Sequence, residues 1–94
     1  MASNEYLSII TLNVNGLNAP IKRHKVTDWI RKQDPFICCL QETHLRIKDA
    51  HRLRVKGWKK VFLANGNEKI AEVAILISDK LDLRVKDLIR ANEG

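Results

Sequence analysis

The sequence predicts an α/β domain, a mixed sheet of about five strands with one clear helix. Three observations point there. Short apolar runs rich in β-branched residues recur at 7–14, 36–40 and 73–77, with the length and composition of buried strands. Between the first two lies a stretch with helical spacing, Val26, Trp29 and Ile30 at i, i+3 and i+4. Asn, Gly and Pro punctuate the joints, and a strand, a helix and a strand in succession make a parallel or mixed sheet with the helix packed on it.

Each element follows in order. Residues 1–5 are a polar leader expected to fray. Leu7 to Val14 is the first strand, closed by Asn13, Asn15, Gly16 and Asn18, residues that tolerate the positive φ of turns. Asn18 is expected to cap the helix, with Pro20 in its first turn. The helix spans Ile21 to Lys32, with Lys22, Arg23, Lys25, Arg31 and Lys32 supplying much of its polar surface. Asp34-Pro35 stops it, because the residue before proline avoids the α region. Phe36 to Gln41 is the second strand. Arg46 to Lys56 is basic and mixed in period, a short helical or looped segment anchored by Ile47, Leu53 and Val55. Trp58 to Leu63 and Val73 to Ser78 are the third and fourth strands, an antiparallel pair across Asn65-Gly66-Asn67. Leu81, Leu83 and Val85 alternate with Asp82, Arg84 and Lys86, which predicts a half-exposed fifth strand.

No repeat, linker or low-complexity tract divides residues 1–94, so they form a single domain or part of one. The formal charge of +6 favours an acidic partner such as nucleic acid. Cys38 and Cys39 are adjacent in a strand, where successive side chains point to opposite faces, so they cannot readily pair. They read as thiols of a reducing compartment, and no signal segment or membrane-length apolar run is seen. The expectation is an intracellular protein, nuclear or cytoplasmic, with no membrane partner. The strands are apolar on both faces, and one helix cannot cover them all. That predicts self-association through an uncovered sheet, or a complementing chain.

Two strand ends carry the chemistry: Thr11-Leu12-Asn13-Val14-Asn15-Gly16 and Leu40-Gln41-Glu42-Thr43-His44. In layered α/β proteins sites gather at the C-terminal ends of strands. If these strands are neighbours, Asn13 and Glu42 meet at one edge. A carboxylate beside an amide is the start of a Mg²⁺ site, because Mg²⁺ takes hard oxygen ligands and keeps several waters. The plainer alternative is that Glu42 only opens a solvated loop. His44, His51 and the cysteines do not have zinc-site spacing. Asn15, Lys22, Arg23 and Lys25 are candidates for contacting nucleic-acid phosphates, as is the series Arg52, Arg54, Lys56, Lys59 and Lys60. Trp58 is either a stacking platform or core, and Trp29 is core.

Four blocks in order carry a resemblance: Thr-Leu-Asn-Val-Asn-Gly-Leu-Asn-Ala-Pro-Ile-Lys-Arg-His (11–24), Asp-Pro-Phe-Ile-Cys-Cys-Leu-Gln-Glu-Thr-His-Leu (34–45), His-Arg-Leu-Arg-Val-Lys-Gly-Trp-Lys-Lys (51–60) and Val-Ala-Ile-Leu-Ile-Ser-Asp-Lys (73–80). Together they resemble the opening of a mammalian long-interspersed-element retrotransposon endonuclease, of the exonuclease–endonuclease–phosphatase superfamily that includes deoxyribonuclease I. The resemblance implies part of a deoxyribonuclease I-like α/β sandwich, cleavage of DNA phosphodiesters with Mg²⁺, and nicking of target DNA to prime reverse transcription. It maps the family's metal-ligand Glu onto Glu42 and its active-site Asn onto Asn13.

The family's Asp-x-Asn motif, a further Asp and its catalytic His have no counterpart in these 94 residues, and His24, His44 and His51 do not stand in for that His. A truncated domain, inactive alone, is therefore expected. Glu72 also departs from the family, which usually has Gly before this strand; it is either a tolerated edge residue or a carboxylate set against an apolar layer. The rival readings are a basic nucleic-acid-binding module without catalysis and a translated transposon relic without activity.

Overall fold

The computed structural model describes residues 8–93, so the expected leader and the start of the first strand at Leu7 lie outside the described residues. Four strands form one mixed sheet: β1 (Ile9–Asn13), β2 (Ile37–Arg46), β3 (Lys60–Ala64) and β4 (Ile70–Ile77), in the order β1-β2-β4-β3. β1 and β2 run parallel; β4 is antiparallel to both β2 and β3. Parallel neighbours need a crossover, and helix α1 (Pro20–Gln33) supplies it. Pro20 opens α1 at a position where its missing N–H costs nothing. Arg31 and Lys32 complement the dipole in the last turn, and Asp34 ends it in the left-handed region, its N–H donating to the Ile30 carbonyl at 2.8 Å.

The β3–β4 hairpin turns on Asn65-Gly66-Asn67. Asn67 Oδ1 accepts from the Lys69 and Ile70 N–H groups at 2.8 and 2.9 Å. Gly66 is required by space: a Cβ there would lie 1.8 Å from the Ile70 carbonyl oxygen.

One face of the sheet is closed by α1 and the segment after β2. Val14, Leu17, Val26, Ile30, Cys38, Leu40, Leu45, Leu53, Val55, Trp58, Ala74 and Leu76 make the core. Trp58 is core and no stacking platform: its Nε1–H donates to the Pro35 carbonyl at 2.9 Å. Cys38 and Cys39 are free, one on each face, and burial, with the neighbouring Cys39 adding, pushes the Cys38 thiol up to about 11. The other face is open. Its cross-strand rows, read from the register, are Ile9, Ile37, Ile77 and Lys60, then Thr11, Cys39, Ile75 and Phe62.

The segment between β2 and β3 forms a short 3₁₀ turn (Ile47–Arg52) before Leu53 and Val55 enter the core; Ile47 stays exposed instead of anchoring it. β2 itself runs past Gln41 to Arg46.

The expected fifth strand is instead a helix, α2 (Asp79–Glu93). Leu81, Leu83 and Val85 fit a period of two, but Leu81, Val85, Leu88 and Ile89 also fit i, i+4, i+7 and i+8 over a longer window. Ser78 decides the start. Its Oγ accepts from Lys80 N–H at 3.2 Å and its carbonyl accepts from Asp82 N–H at 3.1 Å. Asp82 then binds Lys60 at 2.9 Å and Lys86 at 3.1 Å, hydrogen bonds that hold its carboxyl below the usual range.

Candidate functional site at the ends of the first two strands

Parallel pairing sets Asn13 opposite Gln41, one residue before Glu42. Asn13 Nδ2 donates to Glu42 Oε2 in a close hydrogen bond, and both residues are exposed. The two residues singled out for chemistry are thus in direct contact. β2 does not reach this point as a regular strand. Its register with β4 slips between Gln41, opposite Val73, and Leu45, opposite Ala71. Glu42 and His44 sit at φ 53° and 47°, with the buried Thr43 between them. Such bulges re-aim side chains at strand ends.

The turn after β1 follows the bulge residue by residue. Val14, Gly16 and Leu17 N–H groups donate to the Gln41, Glu42 and Thr43 carbonyls at 3.0, 2.8 and 2.9 Å. Gly16 is needed there because its φ is +99°, and Asn15 beside it sits at φ 50°. Asn15 is exposed at the same edge. Glu72 neither clashes nor faces an apolar layer: it is partly exposed, and its Oε2 lies 2.7 Å from His44 Nδ1.

Two expectations about side chains change. Asn18 does not cap α1, whose cap is Ala19 with no side-chain bond. Its amide goes to β2 instead, Nδ2 donating to the His44 carbonyl at 2.7 Å and Oδ1 accepting from Arg46 N–H at 3.2 Å. Arg23 is buried, donating to the Leu17 and Asn18 carbonyls at 3.1 and 2.6 Å, so it fastens the turn and is withdrawn from solvent and any phosphate. Of the basic cluster, Lys22 is half-buried and Lys25 exposed. A further basic surface borders an open cleft formed by Arg46, Ile47, Lys48, Glu68, Lys69 and Ile70; residues so far apart in sequence gave no shared signal.

Residues 10–90 match the Endonuclease/Exonuclease/phosphatase family. The chain belongs to that family. Among its relatives, the DNA repair nuclease APEX1 of Danio rerio is 51% identical over 37 residues, which are 39% of this chain and 12% of that protein. Among solved structures, an AP endonuclease from Archaeoglobus fulgidus matches with a TM-score of 0.56 and 31% identity over 77% of this chain and 27% of that one. The mixed four-stranded sheet and helices correspond to part of a deoxyribonuclease I-like fold, and the chain spans about a quarter of the length of that solved relative.

Nucleases of this family generally use divalent metals. The donors at the edge suit a hard cation: one exposed carboxylate, Glu42, already beside an amide, with room for water and phosphate oxygens. Among the described residues no three His, Cys, Asp or Glu side chains cluster so as to enclose a metal by themselves. A divalent ion held there would supply charge stabilisation for a phosphodiester. Glu42 would hold it. Asn13, whose Nδ2 donates to Glu42 Oε2, would keep the carboxylate oriented, and its second amide hydrogen would be the one to offer a phosphate oxygen.

Proposed function

We propose that this chain supplies the Asn13–Glu42 part of the site of a Mg²⁺-dependent DNA endonuclease of the retrotransposon target-nicking type. The observation that carries the reading is the hydrogen bond from Asn13 to Glu42 across the ends of two parallel strands. Hydrolysis of a phosphodiester needs a positioned water, a base to activate it and stabilisation of the charge that develops on phosphorus. Asn13 and Glu42 meet only the last need, so these 94 residues do not cleave DNA by themselves. They are one part of a larger catalytic domain. The open sheet face is the surface that the remainder of such a domain, or a complementing chain, would cover, and a second copy could cover it without completing the site. Two free cysteines suit a reducing compartment, nuclear or cytoplasmic.

Plasmid nicking in Mg²⁺ tests this. The chain alone is expected to leave supercoiled DNA intact, and co-expression with the rest of such a domain is expected to restore nicking that Glu42→Ala removes. Nicking by the clean chain alone, lost in Glu42→Ala, would sink the inactivity; restored nicking that survives Glu42→Ala would sink the role of Glu42.

A second reading, a nucleic-acid-binding module without catalysis, draws on Lys48 and Lys69 beside the exposed cleft and on Lys25 of α1. DNA affinity falling steeply with salt in a chain that never supports nicking would favour it.

A further inference from the structure

Beyond Gln41 regular pairing stops on both sides of the central strand, and on the first side only the Gly16 and Leu17 N–H groups still reach it, at the Glu42 and Thr43 carbonyls. β1 ends at Asn13, and on the other side the register with β4 slips until Leu45. Glu42 and His44 meanwhile hold positive φ, a conformation sparsely populated by residues other than glycine. The stretch alternates buried Thr43 and Leu45 with exposed Glu42, His44 and Arg46, so bonds to its backbone fix its shape more than they satisfy buried groups.

Two side chains replace the missing ladder. Asn18 uses both ends of its amide, donating to the His44 carbonyl at 2.7 Å and accepting from the Arg46 N–H at 3.2 Å. Those are the bonds that a longer β1 would have made. On the opposite edge the Thr43 hydroxyl donates to the Ala71 carbonyl at 2.7 Å, across the gap where strand pairing fails. Thr43 is fully buried, so its hydroxyl has no water to fall back on. The His44–Glu72 contact is a third tie, with His44 exposed and Glu72 partly so.

We infer that Asn18 and Thr43 are positioning residues, holding the β2 bulge in the shape that presents Glu42 to Asn13. The consequence for metal binding rests on the reading of Glu42 given above; the consequence for the bulge does not. Each residue clamps one edge of the segment that carries Glu42, and neither touches the carboxylate.

The test uses the 94-residue chain and three variants, Asn18→Ala, Thr43→Val and Thr43→Ser, read by amide hydrogen exchange and by Mn²⁺ titration. Asn18→Ala and Thr43→Val are expected to speed exchange at residues 42–46 by about tenfold, the scale on which loss of a hydrogen bond eases local opening. Core amides at Leu40 and Leu76 are expected to move less than twofold, and Thr43→Ser to behave as the parent. Mn²⁺ affinity is expected to fall in parallel with the bulge, by about tenfold. Unchanged exchange at 42–46, exchange that rises equally throughout the core, or a Thr43→Ser variant as loose as Thr43→Val would each overturn the inference. Absence of Mn²⁺ binding in the unaltered chain overturns the metal reading of Glu42 instead, and the exchange result still decides the bulge.

Discussion

On one face of the sheet, Cys38, Leu40, Ala74 and Leu76 are closed off completely; on the other, Ile9 and Phe62, from the two edge strands, stay 58% and 53% exposed. Both faces are apolar in composition. What separates them is cover: α1 and the segment 53–58 lie against the first face, while in the middle row of the second Cys39 and Ile75 are only half-buried and Thr11 and Phe62 are exposed. An apolar residue contributes to stability only to the extent that folding removes it from water. The closed face therefore holds the fold, and the open face leaves large apolar side chains such as Ile9 and Phe62 in water. The site stands at the polar end of the open face, where Asn13 and Gln41 close the rows.

Three experiments can break or sharpen this contrast. The largest effect is expected on the closed side. Leu40→Ala should lower stability by about 2–5 kcal/mol through lost transfer energy and a cavity, measured by urea unfolding followed through the fluorescence of Trp29 and Trp58. A much smaller loss would mean that α1 does not seal this face.

The cysteines offer a second comparison, since they are neighbours in sequence on opposite faces. Cys38 is raised to about 11 from an ordinary value of 9.0, chiefly by burial. A folded pKa above the unfolded one gives stability that is whole below the unfolded value and lost as pH rises through the folded one. Unfolding midpoints should therefore fall between about pH 9 and 11, and Cys38→Ala should remove that part of the decline. In the native chain at neutral pH, Cys39 should react with a thiol reagent well before Cys38. Equal rates would mean that the two faces are equally open.

The smallest effect on stability is expected on the open side. Phe62→Lys should change it by no more than about 0.5 kcal/mol, as is usual for an exposed position. The same substitution should reduce concentration-dependent association in sedimentation. A large loss of stability would mean that the open face is already covered.

The same contrast explains what could be read from the sequence. Cover on one face was enough to mark β1, β2, β4 and α1, because Val26 and Ile30 keep helical spacing and the strands are short apolar runs. The meeting of Asn13 and Glu42 followed from two strand ends lying side by side. The bulge that brings it about did not, because nothing in Glu42-Thr43-His44 encodes a slip against Ala71 and Val73. Asn18 was misleading for a similar reason. An Asn just ahead of Pro20 has the local pattern of a helix cap, but its partners are His44 and Arg46, 26 and 28 residues away. Arg23 sits in a run of basic residues and is nonetheless buried, since its guanidinium satisfies carbonyls that its own turn leaves free. In α2, the alternation of Leu81, Leu83 and Val85 and the helical spacing through Leu88 and Ile89 were both present, and the cap at Ser78 selected between them.

The strand order has a kinetic consequence. β3 and β4 are joined by a tight turn and can pair early, because closing a short loop loses little entropy. β1 can meet β2 only after the chain has made its crossover through α1, and β2 must find β4 across the 3₁₀ turn and the whole of β3. The bulge at Glu42 is bonded both to the turn after β1 and to β4, so it cannot take shape until both have arrived. Pulse-labelling exchange should find its amides protected after those of the hairpin; the reverse order would refute this. Glu42 would then be among the last groups set in place, and its presence against Asn13 would report that the rest of the sheet is assembled.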